Sequence, residues 1–329
     1  MRKYLLLILT LQTFTLFAQD EKPKLVYDNI NYDKRVQTVL FSKVNVDDRY
    51  PMMSLNTAEQ LQLSFDILGT KNEYFQYTLV HCDANWNPSN LQQNEYLQGM
   101  TFDQINDVKF SNNTYVKYVH YTLVLPNENL KPLIAGNFLV KVYRNFDEED
   151  LVLTRRMLVI NLGVSIEGKA TMAQTAQNRY TKQELNFSVN YKGFTMPNPF
   201  EDVKVVAMQN GRWDNSITGI KPLFIRDNIL DYNFTDQFIF NGGNEFRYFD
   251  MRNLRAVSIN VRGKSLDTVY HVHLINDESR GSKQYVQYVD NDGKRVIANK
   301  DNATSGELDG DYAFTNFYLM SLDPVPQDV

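Results

Sequence analysis

The sequence lacks most of the features on which enzymes and metal proteins depend. It has one cysteine, Cys82, in 329 residues, so no disulfide can form within the chain. It has four histidines, and it contains neither a glycine-rich phosphate loop nor a nucleophile elbow. Basic residues do not outnumber acidic ones, and a net charge of −5 argues against nucleic acid or anionic lipid as a partner. The sequence therefore predicts no catalytic residues, no metal and no cofactor.

Long apolar runs are also absent, except at the start of the chain. Arg2 and Lys3 precede an apolar stretch, and Ala18 leads from it into the charged run "DEKPK". This is the layout of a secretory signal peptide over residues 1–19. The stretch is shorter than the ~20 apolar residues of a membrane anchor, and no later stretch is longer. We therefore expect an exported protein without a membrane span.

What the chain does contain is alternation of apolar and polar residues. Period-two patterns over 61–68, 75–79, 119–125 and 136–144 predict strands, and turn residues separate them. Several short strands at this spacing indicate an antiparallel β-sandwich of the immunoglobulin-like kind. A short helix is also predicted within residues 89–100, with Ser89 as its N-cap.

A second set of alternating stretches follows and predicts a second sandwich. Its predicted strands cover 184–193, 202–211, 256–263 and 268–277. We expect one domain over residues 20–163 and another over 164–329, so that the fold is all-β with two consecutive antiparallel sandwiches. The final "YAFTNFYLMSLDPVPQDV" is a strand pattern followed by a proline-rich turn. It resembles the approach to another strand, which predicts a C-terminus shortened relative to a longer protein.

One short stretch, "VHCDANW", contains the side chains of a thiol enzyme. If residues 74–82 form a strand, His81 and Cys82 point to opposite faces and cannot share a proton. A reactive thiolate needs a base or a positive field beside it. The better interpretation is that Cys82 is a small buried apolar residue and that Asp83, Asn85 and Asn87 form the turn after the strand.

The "HVH" stretch gives a stronger indication of metal binding. His271 and His273 lie two positions apart, so on a strand they face the same way, as zinc ligands must. A third ligand is needed, and the remaining histidines, His81 and His120, are distant in sequence. Cross-strand packing is the better interpretation, and a zinc hydrolase built on this pair is a distant alternative.

Two loops carry residues that are typical of protein interfaces. Arg212 and Trp213 lie in "MQNGRWDNS", and Glu245 and Arg247 lie among aromatic residues in "FNGGNEFRYFD". Tryptophan and arginine are the usual anchors of protein interfaces, so these four residues, with Trp86, are predicted to bind a partner. Aromatic rings beside Asn and Asp also stack on sugars, which keeps a glycan-binding module as the alternative.

Several stretches together resemble one family. "HCDANWNPSNLQQNEYLQG", "SNNTYVKYVHYTLVLPNEN" and "GNFLVKVY" are similar to successive blocks of the type IX secretion system plug protein family. "NPFEDVKVVAMQNGRWDN" and "GGNEFRYFD" are similar to blocks of its second domain. The resemblance runs in order from about Asp28 to Tyr312, and the order makes it specific.

The resemblance implies a periplasmic protein associated with the outer membrane. Its partner would be the very large outer-membrane β-barrel translocon of the type IX secretion system. The protein would dock on the periplasmic mouth of this barrel and close it when no cargo is loaded. This is a binding role without catalysis, and the resemblance assigns no contact residues.

Overall fold

The structure is a computed structural model that describes residues 22–45, 50–243, 246–280, 293, 295–301 and 306–320. The predicted signal peptide lies outside these residues. The described chain is all-β, with two helices of one turn each and one short 3₁₀ segment. The predicted fold class is therefore confirmed at the level of an all-β protein with several antiparallel sheets, and the immunoglobulin-like form of the sandwiches stays a prediction.

Twelve strands and one helix precede residue 161. They are β1 (Ile30–Asn31), β2 (Val36–Lys43), β3 (Met52–Ser54), β4 (Leu61–Leu68), β5 (Phe75–Cys82), α1 (Gln93–Tyr96), β6 (Leu97–Gly99), β7 (Asp103–Gln104), β8 (Asp107–Phe110), β9 (Tyr118–Leu125), β10 (Leu130–Pro132), β11 (Gly136–Arg144) and β12 (Asp147–Ile160).

Two sheets of these strands pack face to face. One has the order β1-β12-β11-β5-β7, with β3 added parallel to β12, and the other has the order β2-β4-β9-β8. Alternate residues of each sheet face the other, because side chains along a strand point to opposite faces. Leu63 and Phe65 of β4, for example, are fully buried in one core with Tyr77 of β5 and Val140 of β11. The alternation in the sequence therefore reports a core between two sheets.

The predicted helix is present but begins later than expected. Helix α1 covers Gln93–Tyr96, and its N-cap is Gln92, so the prediction of Ser89 as N-cap is wrong. The Glu95 carboxylate accepts a 2.6 Å hydrogen bond from the Gln92 backbone N–H. This capping box stabilises the start of the helix at Gln92.

After Ile160, ten strands and one helix follow in the described residues. They are β13 (Ser165–Met172), β14 (Lys182–Asn190), α2 (Pro199–Asp202), β15 (Val206–Ala207), β16 (Ile217–Thr218), β17 (Phe224–Arg226), β18 (Ile229–Asp231), β19 (Ile239–Asn241), β20 (Val261–Leu266), β21 (Tyr270–Glu278) and β22 (Ala313–Met320).

The region from β13 to β19 has its own core. Strands β13-β14-β18-β17 form one sheet, β19 also pairs with β14, and β15 with β16 forms a small separate sheet. Phe187 of β14 stacks on Tyr232 with 4.8 Å between ring centroids, and Phe238 packs edge-on against Phe187. This cluster shares no residue with the core of the first sandwich.

Two predicted strands of this region are wrong over most of their length. In the predicted strand 202–211, only Val206–Ala207 pairs, and the residues after it form a loop. In the predicted strand 256–263, pairing begins only at Val261, and Val257 is 99% exposed. The alternation around Val257 has no core to face, whereas Val203, Val205 and Ala207 pack against the second core and only the end of that stretch pairs as a strand.

A further sheet, β20-β21-β22, contacts the first sandwich through Tyr270 of β21, whose ring packs edge-on against Tyr115. Strand β22 runs parallel to β21, and a small cluster around Leu254, Val272 and Leu274 lies under this sheet. The residues just before β22 contact the first sandwich, where the Asp311 carboxylate accepts hydrogen bonds from the backbone N–H groups of Tyr115 (2.7 Å) and Val116 (2.9 Å). The segment before β22 is thus held against the first sandwich.

Candidate partner-binding site

Trp86 lies in the turn that follows β5. The Asp83 carboxylate accepts hydrogen bonds of 2.8 Å from the backbone N–H groups of Asn85 and Asn87, which fixes the turn. Trp86 takes the left-handed conformation, with φ of 64°, and its side chain is 6% exposed. The turn therefore folds the indole over the end of the sandwich, where it packs with Cys82 and Leu139.

Trp213 reaches the same place from the loop between β15 and β16. Its ring packs edge-to-face on Trp86, with 5.2 Å between centroids and 85° between planes. The Arg156 guanidinium of β12 lies over both rings, 4.5 Å from Trp86 and 5.2 Å from Trp213. We name these three residues the Trp–Arg–Trp cluster. Edge-to-face rings and a cation over indole faces both stabilise such a cluster.

Arg156 is fixed in this position by the N-terminal segment. Its Nε and Nη2 donate hydrogen bonds of 2.9 and 2.7 Å to the Tyr27 carbonyl oxygen, and the Asp28 carboxylate lies 3.3 Å from Nη1. The guanidinium is therefore held by hydrogen bonds in its plane and by indole rings outside it, the arrangement that suits arginine better than lysine.

A second contact holds the same loop against the first sandwich. The Tyr50 hydroxyl donates to Met208 Sδ at 3.2 Å. Gly211 has φ of 68°, and a Cβ placed there would lie 2.7 Å from the Tyr50 ring. Only glycine permits both this backbone conformation and this approach. The loop of residues 208–213 is thus fitted to the surface of the first sandwich.

The structure brings together two of the five residues predicted to bind a partner. Trp86 and Trp213 contact each other, whereas Arg212, beside Trp213, is exposed and pairs with Asp214. Arg247 lies beside β21, where it pairs with Asp277 and donates to the Glu278 carbonyl at 3.0 Å. Glu245 lies outside the described residues. Partner binding by these residues stays a prediction.

The packing of the two tryptophans bears on the glycan alternative. An aromatic ring that stacks on a sugar needs an open face, but Arg156 lies over the Trp86 ring and Trp213 packs against it. With 6% of the residue exposed, Trp86 has no such face. No observation in the described residues favours sugar binding at this pair.

His81 and Cys82 lie on opposite faces of β5, as predicted. His81 packs against Tyr96 and Phe138, whereas Cys82 packs under Trp86. Burial, followed by the nearby Asp83 charge, raises the pKa of the Cys82 thiol to about 11. The thiol is therefore protonated at neutral pH and is not an activated nucleophile.

His271 and His273 each contact an aromatic side chain. The His271 ring stacks on Phe314 at 5.4 Å, and His273 Nδ1 lies 2.8 Å from the Tyr318 hydroxyl. Across the part of the chain that the structure describes, no group of three or more His, Cys, Asp or Glu side chains is placed to hold a metal ion.

A polar network that the sequence analysis missed surrounds Asp66. The Asp66 carboxylate lies 2.6 Å from His120 Nδ1 and accepts a 2.6 Å hydrogen bond from the Tyr312 hydroxyl. Thr38, at φ of 49°, lies 2.6 Å from the same hydroxyl. Tyr312 is far along the chain from the other three, so no local pattern could have predicted the network.

An exposed aromatic pair, which no sequence pattern indicates, lies at one end of the first sandwich. Phe146 lies in the tight turn between β11 and β12 with φ of 57° and is 66% exposed. Its backbone N–H donates to Gln76 Oε1 at 2.9 Å, and its ring packs edge-on against the exposed Phe102. A bulky residue in the left-handed region is uncommon, and the alternation of the strands carries no signal for it.

These features define an all-β protein. None of its helices, within the described ranges, is both long and apolar enough to cross a membrane. Residues 36–161 match the family model of the type 9 secretion system plug protein 1st domain. This match confirms, for that part of the chain, the family resemblance found in the sequence.

Solved structures extend the likeness beyond the matched domain. A crystal structure of a hypothetical protein from Parabacteroides merdae ATCC 43184 aligns with a TM-score of 0.87 and 27% sequence identity. The alignment covers 92% of this chain and 76% of the other. No curated protein matches the chain. The likeness therefore covers the β13 to β22 region as well, although only the first region carries the family match.

Proposed function

We propose that this protein is a non-enzymatic plug of the type IX secretion system. In this proposal it binds the periplasmic mouth of the large outer-membrane β-barrel translocon and closes it when no cargo is loaded. The observation that carries the proposal is the match of residues 36–161 to the first domain of the plug family. The leader-like residues 1–19 support export to the periplasm.

The contacts within the chain suit such a role. A plug acts by shape, and a shape that is fixed before binding lowers the entropy cost of docking. The Trp–Arg–Trp cluster joins the first sandwich to the loop of residues 208–213. Tyr312 and Asp311 join the β20-β21-β22 region to the same sandwich. We propose that residues 20–163 and 164–329 are two domains held in one arrangement by these contacts.

The docking surface in this proposal includes Arg212, because its side chain is exposed on a loop that is otherwise fixed. Trp86 and Trp213 position that loop rather than contact the barrel through open faces. Arginine is enriched at protein interfaces because its planar group makes several hydrogen bonds. Arg247, Glu245 and the exposed pair Phe102 and Phe146 are further candidates.

Co-purification from outer membranes tests the proposal. The tagged protein is expressed in a bacterium that has the secretion system, and detergent extracts are analysed by mass spectrometry for a very large β-barrel. Arg212→Glu is compared with Arg226→Glu, whose side chain is also exposed and paired with a neighbouring aspartate. We expect the wild type and the Arg226 variant to recover the barrel and the Arg212 variant to recover less.

Recovery of soluble proteins alone by the wild type contradicts the plug proposal. Equal recovery by both variants contradicts only the role of Arg212. A leak assay provides a second test, since deletion of the plug is expected to let a periplasmic reporter protein escape into the medium while the barrel remains in the membrane.

A further inference from the structure

Strand β13 is an open sheet edge. It pairs with β14 on one side and, among the described residues, with no strand on the other. All but one of its eight residues are exposed. An edge strand of this length carries unpaired backbone groups that can pair with another strand.

The two faces of β13 differ in character. Ile166, Gly168, Ala170 and Met172 share one face, and Val164 continues that face before the strand. Ile166 is 65% exposed and Met172 is 63% exposed. The register places Gly168 opposite Phe187 of β14, so this is the face that continues the buried core of the sheet. An exposed apolar extension of a core lacks a cover.

The opposite face carries charges of both signs. Glu167 and Lys169 lie on it, with Ser165 and Thr171 on either side. Neither charged side chain forms an ion pair with any described residue. Charges on a sheet edge often prevent pairing with other chains, but charges of opposite sign two residues apart permit one specific arrangement.

That arrangement is antiparallel pairing of β13 with itself. A two-fold axis through Gly168 places Glu167 opposite Lys169 of a second copy, and Lys169 opposite its Glu167. The same axis places Ile166 opposite Ala170 and Val164 opposite Met172. Opposite charges and apolar residues that face each other directly across two strands are stabilising. Gly168 meets its own copy at the centre, where the absence of a side chain permits close approach.

We propose that β13 is a self-association edge through which two copies of this chain form one continuous sheet, with the two-fold axis at Gly168. This is an isologous contact, in which the same residues of both copies meet. One strand pair buries less surface than the 1,200–2,000 Å² of a stable interface, so the dimer is weak and depends on concentration. The proposal goes beyond the plug function and does not depend on it.

Charge variants test the pairing. Sedimentation equilibrium of the purified full chain over a wide concentration range gives the dimer dissociation constant. E167K and K169E each create two like-charge pairs and are expected to weaken the dimer about tenfold or more. The double variant E167K/K169E restores opposite charges and is expected to recover wild-type association. E128K makes the same charge change at an exposed site away from β13 and is expected to have no effect.

A register test uses disulfide formation. S165C and T171C are expected to crosslink when the two variants are mixed, because the axis at Gly168 brings these positions opposite each other. Each variant alone is expected to stay uncrosslinked, since its two cysteines lie about 20 Å apart along the strands. Cys82 is 2% exposed and does not compete.

Three results overturn the proposal. The first is a wild-type chain that stays monomeric at every concentration. The second is a dimer that E167K and K169E leave unchanged. The third is crosslinking of S165C alone as readily as in the mixture. Circular dichroism of each variant establishes that loss of the dimer does not reflect loss of the fold.

Discussion

His81 is a titratable ring in surroundings that favour its neutral form. It packs between Tyr96 and Phe138, and Nδ1 is buried without a hydrogen-bond partner among the described residues. Burial lowers the pKa of His81 below its ordinary value, and a hydrogen bond with the Ala135 backbone opposes the shift only in part. Protonation at this position therefore works against folding, because the unfolded chain binds the proton more readily.

The expected consequence is a loss of stability as pH falls. The contribution of neutral His81 is complete above the unfolded pKa of about 6.5 and is lost as pH drops through the lower pKa of the folded state. The slope for one group cannot exceed about 1.4 kcal/mol per pH unit. Urea unfolding between pH 7 and 5 measures it. His81→Asn should flatten the profile, and His271→Asn, at a side chain that is 31% exposed, serves as the control. An unchanged slope in His81→Asn contradicts the assignment.

At the same scale, some residues could be predicted from sequence and others could not. The separation of His81 from Cys82 follows from strand geometry alone, and the structure confirms it. The contact of Trp86 with Trp213 joins residues more than a hundred positions apart, and no local pattern reports such a pair. The sequence therefore marked both tryptophans as notable but did not predict that they meet.

At the scale of elements, a set of ion pairs holds three strand ends together. Asp33, before β2, pairs with Arg35 at 2.7 Å and with Arg144, at the end of β11, at 2.6 Å. Glu73, before β5, pairs with Arg35 as well. Burial alone would raise the pKa of Asp33, but hydrogen bonds from Arg35 and Arg144 more than offset it, so the pKa lies well below its ordinary value.

We expect Asp33→Asn to lower the free energy of unfolding by about 1–3 kcal/mol at neutral pH, since charged hydrogen bonds to two arginines are lost. The depressed pKa means that this stabilisation is present above the unfolded pKa of about 3.9 and is lost as pH falls below it. The variant should therefore match the wild type more closely in acid. Asp214→Asn, in a fully solvated pair, should change stability little. A similar loss in both variants contradicts a special role for Asp33.

Strands were predicted correctly where apolar and polar residues alternate and where the apolar face lies against a core. Strands β4, β5, β9 and β11 each have one face in the core of the first sandwich, and all four were predicted. Near Val257 the same alternation occurs without a core, and the prediction failed. Period-two patterns report burial of one face, and burial depends on the partner sheet, which the sequence does not specify.

The residues before β22 are joined to the first sandwich mainly through polar contacts. Tyr312 donates to Asp66, and burial, followed by the Asp66 charge, raises the pKa of its hydroxyl. Tyr312→Phe leaves the Asp66 oxygen without that donor, and we expect a loss of about 1.5–3 kcal/mol. In this variant, the hydrogen-exchange rate of residues 306–320 should rise more than that of β4 and β9. Tyr180→Phe, at an 87% exposed site, is the control. Unchanged exchange in Tyr312→Phe contradicts the role of this contact.

At the scale of the whole molecule, separate cores are joined by a few contacts. The first sandwich and the β13 to β19 region have distinct apolar clusters. Residues 208–213 bridge them through Tyr50 and the Trp–Arg–Trp cluster. Regions with separate cores can open from each other before either unfolds. The strength of the cluster therefore decides whether the two regions unfold together.

The two tryptophans of the chain both lie in this cluster, so intrinsic fluorescence reports the joint while far-ultraviolet circular dichroism reports the sheets. In the wild type we expect both signals to change at the same urea concentration, because the joint opens only when the sheets unfold. Arg156→Gln removes the cation over both rings and at least one hydrogen bond to Tyr27, contacts worth about 1–3 kcal/mol together. In this variant the fluorescence midpoint should fall below the circular dichroism midpoint.

Arg155→Gln, the neighbour on the same strand, should leave the two midpoints together, since Arg155 bonds to Ile30, Asn31 and Thr154 instead. If the midpoints stay together in Arg156→Gln as well, the two regions are held by contacts other than the cluster.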